Sequence, residues 1–174
     1  MGNKKKLFLL DAYALIFRGY YAFIKNPRIN SKGMDTSAVM GFTNSLFNLI
    51  NRERPNYLAV AFDKGGSIER SEIYTEYKAN RPETPEAIRI AVPYIQALLE
   101  AMNIPIIEKE GYEADDIIGT LAKQAEKEGF DVYMMTPDKD FAQLVSPNIF
   151  MYRPSRKGNG LSLIHISEPT RQKP

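Results

Sequence analysis

Seven acidic residues follow apolar runs in the sequence, at the points where predicted strands end. The runs are 7–10, 57–62, 104–107 and 132–135, and the acids that come after them are Asp11, Asp63, Glu113, Asp115, Asp116, Asp138 and Asp140. Because parallel strands end at one edge of a sheet, these carboxylates are expected to share a pocket. Two carboxylates about 5 Å apart repel by roughly 3 kcal/mol at an effective dielectric of about 20, so the pocket needs cations. An all-oxygen donor set favours Mg²⁺ or Mn²⁺.

The acids differ in how strongly each one, taken alone, indicates a metal site. Segment 111–116, Gly-Tyr-Glu-Ala-Asp-Asp, has three acids within four residues, more than helix capping requires, although capping alone is the competing interpretation. Asp138 and Asp140 form an Asp-x-Asp pair, a weak signal because turns are rich in Asp. Asp11 or Asp63, taken singly, would be interpreted as a cap or turn residue. The metal interpretation therefore rests on all four predicted strands ending the same way.

The segment at about 64–83 is polar, carries both signs of charge and begins with two glycines after its first residue. We expect a mobile insertion there rather than part of the core. Its Tyr77, Lys78 and Arg81 have the chemistry to stack on an unpaired base and to bind phosphate. The alternative for these three residues is a solvated loop. Arg18 is a further basic residue that could bind phosphate, and the alternative is that it simply lies on a helix surface.

The composition disfavours several classes of site. The 174 residues contain no Cys and a single His, His165, which argues against disulfides, Cys-based zinc sites and His-based catalysis. The sequence has neither a phosphate-binding Gly-rich loop of the Walker kind nor a Gly-x-Ser-x-Gly motif. Phosphodiester cleavage by metal-activated water fits what is left. A net charge of +2 neither supports nor excludes a nucleic-acid partner, since the distribution of charge matters more.

The elements that must position these residues are predicted from apolar patterning. Strands are expected at 5–10, 57–62, 104–108, 130–135 and 148–152, and helices at 14–24, 36–52, 84–102, 113–128 and 138–145. Thr36 and Thr84 are predicted N-caps, and Gly129 is a predicted helix end. Strands that alternate with helices predict one α/β domain with a parallel sheet and right-handed crossovers.

The N-terminal segment gives no targeting signal. The apolar run after the basic start ends at Asp11 and is too short for a signal peptide or a membrane span. We therefore expect a cytoplasmic protein without a membrane partner.

Six stretches match one family in order and spacing: LLDAY at 9–13, FRGYYAF at 17–23, VAFD at 60–63, YKANRP at 77–82, GYEADD at 111–116 and TPDKD at 136–140. They resemble the N-terminal 5′-nuclease domain of bacterial family A DNA polymerase (DNA polymerase I), a member of the flap endonuclease group. Segments 64–67 and 151–154 are similar in style to the Bacteroidetes version. The resemblance covers residues 4 to about 160. It implies a PIN-like or resolvase-like parallel sheet flanked by helices, with an arch-like insertion at about 64–83.

The resemblance implies roles for the candidate residues. The seven acids match the family's metal-site acids, so two divalent cations, Mg²⁺ or Mn²⁺, are expected there. Lys78 and Arg81 match basic catalytic residues that contact the reacting phosphate at the arch, Tyr77 an aromatic near the unpaired nucleotide, and Arg18 a phosphate-contacting residue. The implied reaction is 5′-3′ exonuclease and flap endonuclease cleavage of 5′ flaps and RNA primers in replication and repair. The implied protein is a monomer, normally fused to a polymerase domain.

Three alternatives remain for the activity: a stand-alone flap endonuclease, a PIN-like ribonuclease and a non-catalytic DNA-binding fragment. The arch-like insertion, with Tyr77, Lys78 and Arg81, favours the flap enzyme over the ribonuclease.

The C-terminal end departs from the family. There the resemblance implies a Gly-Asp-x-x-Asp-Asn-like motif with two more metal-site acids, and then a helix–turn–helix-like clamp on duplex DNA. Residues 161–174, LSLIHISEPTRQKP, do not match it. We therefore expect a nuclease domain at 1–160 that is truncated before the clamp, with a non-native tail at 161–174; a divergent genuine C-terminus is the alternative. An incomplete two-metal site would make this chain a weak or inactive nuclease.

Overall fold

The computed structural model describes residues 4–64, 83–154 and 161–164. Its strands are β1 Lys6–Asp11, β2 Tyr57–Ala61, β3 Ile106–Ile107, β4 Asp131–Met135, β5 Ile149–Pro154 and β6 Leu161–Ile164. They form one sheet in the order β3-β2-β1-β4-β5-β6. The first five run parallel to their neighbours, and β6 is antiparallel to β5. The predicted parallel α/β sheet is confirmed.

The helices cover both faces of this sheet. They are α1 Ala12–Ala22, α2 Ser37–Glu53, α3 Glu86–Ala101 and α4 Ala114–Lys127, and a 3₁₀ helix spans Asp140–Leu144. Successive side chains of β1 point to opposite faces, so Phe8 and Leu10 pack against α1, α2 and α3, whereas Leu9 packs on the α4 side. Apolar residues on both faces of β1 are what a central parallel strand requires.

Helices α1 and α2 pack unusually closely where two glycines meet. A Cβ built on Gly41 would lie 2.3 Å from the Cα of Gly19, a distance that real side chains do not show. The close approach brings the backbone of α1, which begins at the carboxyl end of β1, directly against α2. No periodic pattern in the sequence had pointed to this contact.

Several element ends differ from the predicted ones. α1 begins at Ala12 rather than at residue 14, because Asp11 caps it. Thr36 occupies the N-cap position of α2, but its hydroxyl donates to the carbonyl of Arg28 (2.6 Å) instead of capping. The N-cap of α3 is Pro85, not Thr84.

The limits of the third strand and the C-terminal end of α4 were also predicted. The predicted strand at 104–108 has only Ile106–Ile107 in a regular ladder. Gly129 follows the end of α4 with a φ of +86°, as predicted for a helix-ending glycine.

Part of the predicted architecture lies outside the described residues. Of the arch-like insertion at about 64–83, residues 65–82 lie outside, and with them Tyr77, Lys78 and Arg81. Residues 161–164 of the predicted non-native tail pair with β5 as β6. The predicted domain boundary and the foreign origin of 161–174 stay predictions. None of the described helices has the length and apolar character to cross a membrane.

Candidate active site

Asp11 stands at the junction of β1 and α1. It is the last residue of the strand and the N-cap of the helix, and its Oδ1 accepts a hydrogen bond from the backbone amide of Ala14 (3.0 Å). An N-cap carboxylate satisfies one of the amides that the first helical turn leaves without a partner. The cap therefore fixes the Asp11 carboxylate at the carboxyl edge of the sheet.

Asp63 joins the end of β2 to the start of α4. It comes two residues after β2, and its Oδ1 accepts a hydrogen bond from the backbone amide of Ala114, the first residue of α4 (2.5 Å). Residues 51 positions apart are thus held together at one edge. The sequence contained no signal for this bond, because the donor is a backbone group.

The three acids at the start of α4 divide into two kinds. Glu113 is the N-cap, and it forms a capping box with Asp116, whose Oδ2 accepts from the backbone amide of Glu113 (3.1 Å). Capping therefore accounts for the geometry of these two acids. The carboxylate of Asp115, in contrast, has no hydrogen-bond or ion-pair partner within the described ranges. It is the acid that local structure does not explain.

The loop after β4 supplies the last two acids. Asp138 Oδ1 accepts a hydrogen bond from the backbone amide of Asp140 (2.9 Å), and the amide of Asp138 donates to the hydroxyl of Thr136 (3.2 Å). Asp140 opens the 3₁₀ helix. The predicted helix at 138–145 is therefore a single 3₁₀ segment that begins two residues later.

All seven predicted acids line two adjoining cavities at this edge. The first, of about 470 Å³, is lined by Tyr13, Phe17 and five acids: Asp11, Asp63, Glu113, Asp115 and Asp138. The second, of about 560 Å³, is lined by Asp140 and Asp116 among others. Glu113, Asp115 and Asp138 line both. The acids thus form one elongated acidic cleft, in which Asp11 and Asp140 lie in different halves.

Asp115 is the electrostatic centre of this cleft. Its pKa is raised from 3.8 to about 7, first by burial and then by the negative charges of Asp11, Asp138, Asp63 and Glu113. Four carboxylates therefore lie close enough to Asp115 to oppose its ionisation. A divalent cation would remove this opposition.

Asp11 is affected in the same direction. Burial raises its pKa from 3.8 to about 6, the charges of Asp63 and Asp138 add to the rise, and the amide of Ala14 opposes it. In the described part of the chain, no lysine or arginine forms an ion pair with Asp11, Asp63, Asp115 or Asp138. Within the described segments, these four carboxylates therefore have no basic side chain that offsets their charge.

The donor chemistry of the cleft fits a hard divalent cation. All the candidate ligands are carboxylate oxygens, which Mg²⁺ and Mn²⁺ prefer. As the side chains stand, no three acids within the described segments converge as a ready-made ligand set. Asp11, Asp63 and Asp138 each accept a backbone amide instead. Cation binding would therefore use the second carboxylate oxygens, of which Oδ2 of Asp11 also accepts from the hydroxyl of Thr136 (3.5 Å), or rotate these side chains.

The other predicted site residues are placed differently. Arg18 is half-buried on α1, and burial lowers the pKa of its guanidinium. It follows Phe17, which lines the first cavity, but it lines neither cavity itself. Tyr13 and Phe17 form an aromatic wall beside Asp11 that the interpretation of the acids had not included. Both belong to the matching stretches 9–13 and 17–23, which was the available signal.

The comparisons with known proteins agree with this geometry. The family model described as "5′-3′ exonuclease, N-terminal resolvase-like domain" matches residues 6–170. The chain is 41% identical over 150 residues to the 5′-3′ exonuclease of Aquifex aeolicus, covering 86% of this chain and 51% of that protein. It is 44% identical over 147 residues to DNA polymerase I of Bacillus caldotenax, covering 84% of this chain and 16% of the polymerase.

A solved structure shows the same fold. The bacteriophage T5 D15 flap endonuclease, in a pseudo-enzyme-product complex with DNA and metal ions, superposes with a TM-score of 0.63 at 21% identity, covering 86% of this chain and 55% of that one. The chain spans about half the length of the Aquifex exonuclease and a much smaller share of the polymerase. The match over residues 6–170 and the shared fold show that the chain belongs to the family of 5′-3′ exonucleases, through their N-terminal resolvase-like domain.

Proposed function

We propose that this domain hydrolyses phosphodiester bonds of DNA at 5′ flaps and RNA primers, with two divalent cations, Mg²⁺ or Mn²⁺, held in the acidic cleft. The observation that carries the proposal is the first cavity, where five carboxylates from four separate segments meet at the carboxyl edge of a parallel sheet. Such a charge concentration destabilises a folded protein unless a cation joins it. Family membership also supports the proposal, because the related domains are named as 5′-3′ exonucleases.

The acids in the two halves of the cleft would bind different cations. Asp11, Asp63 and Asp115 would hold one cation in the first cavity. Asp138, which lines both cavities, would contribute to that cation and, with Asp140, to a second. When bound, the cations supply a Lewis acid for the phosphate and lower the pKa of attacking water. The Glu113–Asp116 capping box holds the start of α4, and so Asp115, at the edge of the sheet. Tyr13 and Phe17, which line the first cavity, would limit water on one side.

The substrate contacts are part of the same proposal. Arg18, next to the cleft on α1, would bind a substrate phosphate. Lys78 and Arg81 would act on the reacting phosphate and Tyr77 would stack on an unpaired nucleotide, as the family resemblance implies. The DNA in the complex of the T5 flap endonuclease supports a DNA substrate. The relatives named DNA polymerase I support a domain that is fused to a polymerase in some proteins. A monomer that works in the cytoplasm is part of the same proposal.

The test grafts this domain into a longer relative. Because the chain spans 51% of the Aquifex exonuclease, residues 4–154 replace the aligned segment of that protein. We expect the chimera to cleave a 5′-flap DNA in Mg²⁺ or Mn²⁺ and not in EDTA. Asp115→Asn should lower the rate at least about a hundredfold, since it removes a central ligand oxygen.

Three substrates separate the competing activities. A 5′-flap DNA, a single-stranded RNA and a blunt duplex are compared under the same conditions. Preference for single-stranded RNA would favour the PIN-like ribonuclease, and metal-independent binding without cleavage would favour the DNA-binding fragment. Cleavage unaffected by Asp115→Asn would contradict the assignment of the cleft as the active site.

A further inference from the structure

Thr136 connects two acids of the cleft that come from different parts of the fold. It follows β4 directly and is fully buried, with 0% exposure. Its Oγ1 accepts the hydrogen bond from the amide of Asp138 (3.2 Å) and lies 3.5 Å from Oδ2 of Asp11, to which it donates. A hydroxyl has one proton, so accepting from the amide leaves that proton for the Asp11 carboxylate.

The contact completes the fixation of Asp11. The other oxygen, Oδ1, already accepts from the amide of Ala14 (3.0 Å). The register of the sheet explains why Thr136 reaches it: Leu10 pairs with Met135 between β1 and β4, so the next residues along both strands lie side by side. The Asp11 carboxylate is therefore held from its own helix and from the neighbouring strand.

We propose that Thr136 is a positioning residue: its hydroxyl fixes the Asp11 carboxylate relative to the Asp138 loop, so that the two acids present their oxygens to one divalent cation. The proposal rests on the proposed function of the cleft. Hydrogen bonds that orient ligands typically change metal affinity 10–100-fold when they are removed. A purely structural hydroxyl would only accept from the Asp138 amide, and its loss would change stability without changing cation affinity.

The experiment compares substitutions that differ by one hydroxyl. Mn²⁺ binding to the 174-residue chain is measured by electron paramagnetic resonance of the free ion, with wild type, Thr136→Val and Thr136→Ser. Valine keeps the shape of threonine and lacks the hydroxyl, and serine keeps the hydroxyl. We expect affinity to fall about tenfold or more in Thr136→Val and to stay within about threefold of wild type in Thr136→Ser. Thermal unfolding without metal confirms that each variant folds.

A second substitution and a remote control complete the design. If Thr136→Val does not fold, Thr136→Ala removes the same hydroxyl. Thr43→Val makes the same chemical change on α2, where the hydroxyl donates only to the carbonyl of Val39 (2.7 Å), and should leave Mn²⁺ affinity unchanged. In an Asp11→Asn background, Thr136→Val should add little further loss, because the two residues act on the cation as one unit.

The outcomes separate this proposal from the function on which it rests. Wild-type chain that does not bind Mn²⁺ would overturn the cation site, and with it the positioning role. Wild type that binds Mn²⁺, with Thr136→Val equal to it, would overturn the positioning role alone. Equal losses in Thr136→Val and Thr136→Ser would also overturn it, because the hydroxyl would then not be the cause.

Discussion

The carboxylates at the two ends of the central sheet differ in what surrounds them. Where the strands begin, Glu53 forms an ion pair with Lys6 (3.8 Å) and accepts a hydrogen bond from the buried hydroxyl of Tyr152 (2.9 Å). Asp131, at the start of β4, forms an ion pair with Lys4 (3.7 Å). Where the strands end, burial and neighbouring carboxylates raise the pKa of Asp115 to about 7.

The two ends of the sheet therefore differ in how their carboxylates are stabilised. Exposed ion pairs such as those of Glu53 and Asp131 contribute about 0–1 kcal/mol each, and they need nothing from outside the molecule. Carboxylates that cluster at short distances repel, and the energy is recovered only when a cation enters. Under the proposed function, the acidic end would give up stability in exchange for cation binding, as functional sites often do.

The largest expected contrast is in cleavage. In the chimera with the Aquifex exonuclease, Asp11→Asn should lower the rate of 5′-flap cleavage at least about a hundredfold, because it removes a ligand oxygen from the cleft. Asp131→Asn, the same change at the opposite end of the sheet, should leave the rate within about twofold. Comparable losses in both variants would mean that the two ends do not differ in function.

The arrangement of the acidic end could be predicted in part from the sequence. Apolar runs identified the strands, and a parallel sheet must bring the residues after them to one edge, so Asp11, Asp63 and Asp138 were expected together. The family resemblance added the roles. The end of α4 at Gly129 followed from the residue type, since glycine readily takes the positive φ found there.

Contacts between distant residues or backbone groups could not be predicted. The bond from the Ala114 amide to Asp63 involves no side-chain donor, so no residue type marks it. The Gly19–Gly41 approach depends on how two helices cross, which periodicity within each helix does not determine. The N-cap of α3 was also missed, because Thr84 and Pro85 are both acceptable residues near a helix start.

A second prediction concerns pH. Without divalent cations, the free energy of unfolding should be higher at pH 5 than at pH 8, by on the order of 2 kcal/mol once solvent screening of the partly exposed Asp115 is included. The folded-state pKa values of Asp11 and Asp115, about 6 and about 7, lie above their ordinary value of 3.8. The folded state therefore binds more protons, and the stability gained from these groups is lost as pH rises through 6 and 7.

Urea denaturation at a series of pH values measures this dependence. The double variant Asp11→Asn/Asp115→Asn should be nearly flat over the same range. If the free energy of unfolding of wild type instead rose from pH 5 to pH 8, the surroundings of Asp11 and Asp115 would stabilise their ionised forms.

Tyr152→Phe tests the surroundings of the Glu53 carboxylate, which lies beside Lys6 where the strands begin. Removal of the hydroxyl leaves Glu53 without this donor, and loss of a hydrogen bond to a charged group costs about 1–3 kcal/mol of unfolding free energy. The variant should bind Mn²⁺ with unchanged affinity, since neither Glu53 nor Tyr152 lines the cleft. Weaker Mn²⁺ binding in a folded Tyr152→Phe protein would argue that the two ends are coupled.

The smallest expected effect belongs to the exposed pair at the start of β4. Lys4→Met removes the partner of Asp131, and the pair has a half-exposed lysine. The free energy of unfolding should change by less than about 1 kcal/mol. The free energy of unfolding is measured by urea denaturation at low and at high salt. A loss well above about 1 kcal/mol that appears only at low salt would show that ion pairs stabilise the start of β4 more than proposed.

The most direct test measures the stability of the 174-residue chain at pH 8 with increasing Mg²⁺, for wild type and Asp115→Asn. Wild type should be stabilised by about 1.4 kcal/mol for each tenfold rise in Mg²⁺ above its dissociation constant. Asp115→Asn should be more stable than wild type without Mg²⁺, because a repelled charge is gone, and should respond weakly to the ion. A variant that is less stable than wild type without Mg²⁺, and that responds to Mg²⁺ as wild type does, would contradict a cation-binding cleft centred on Asp115.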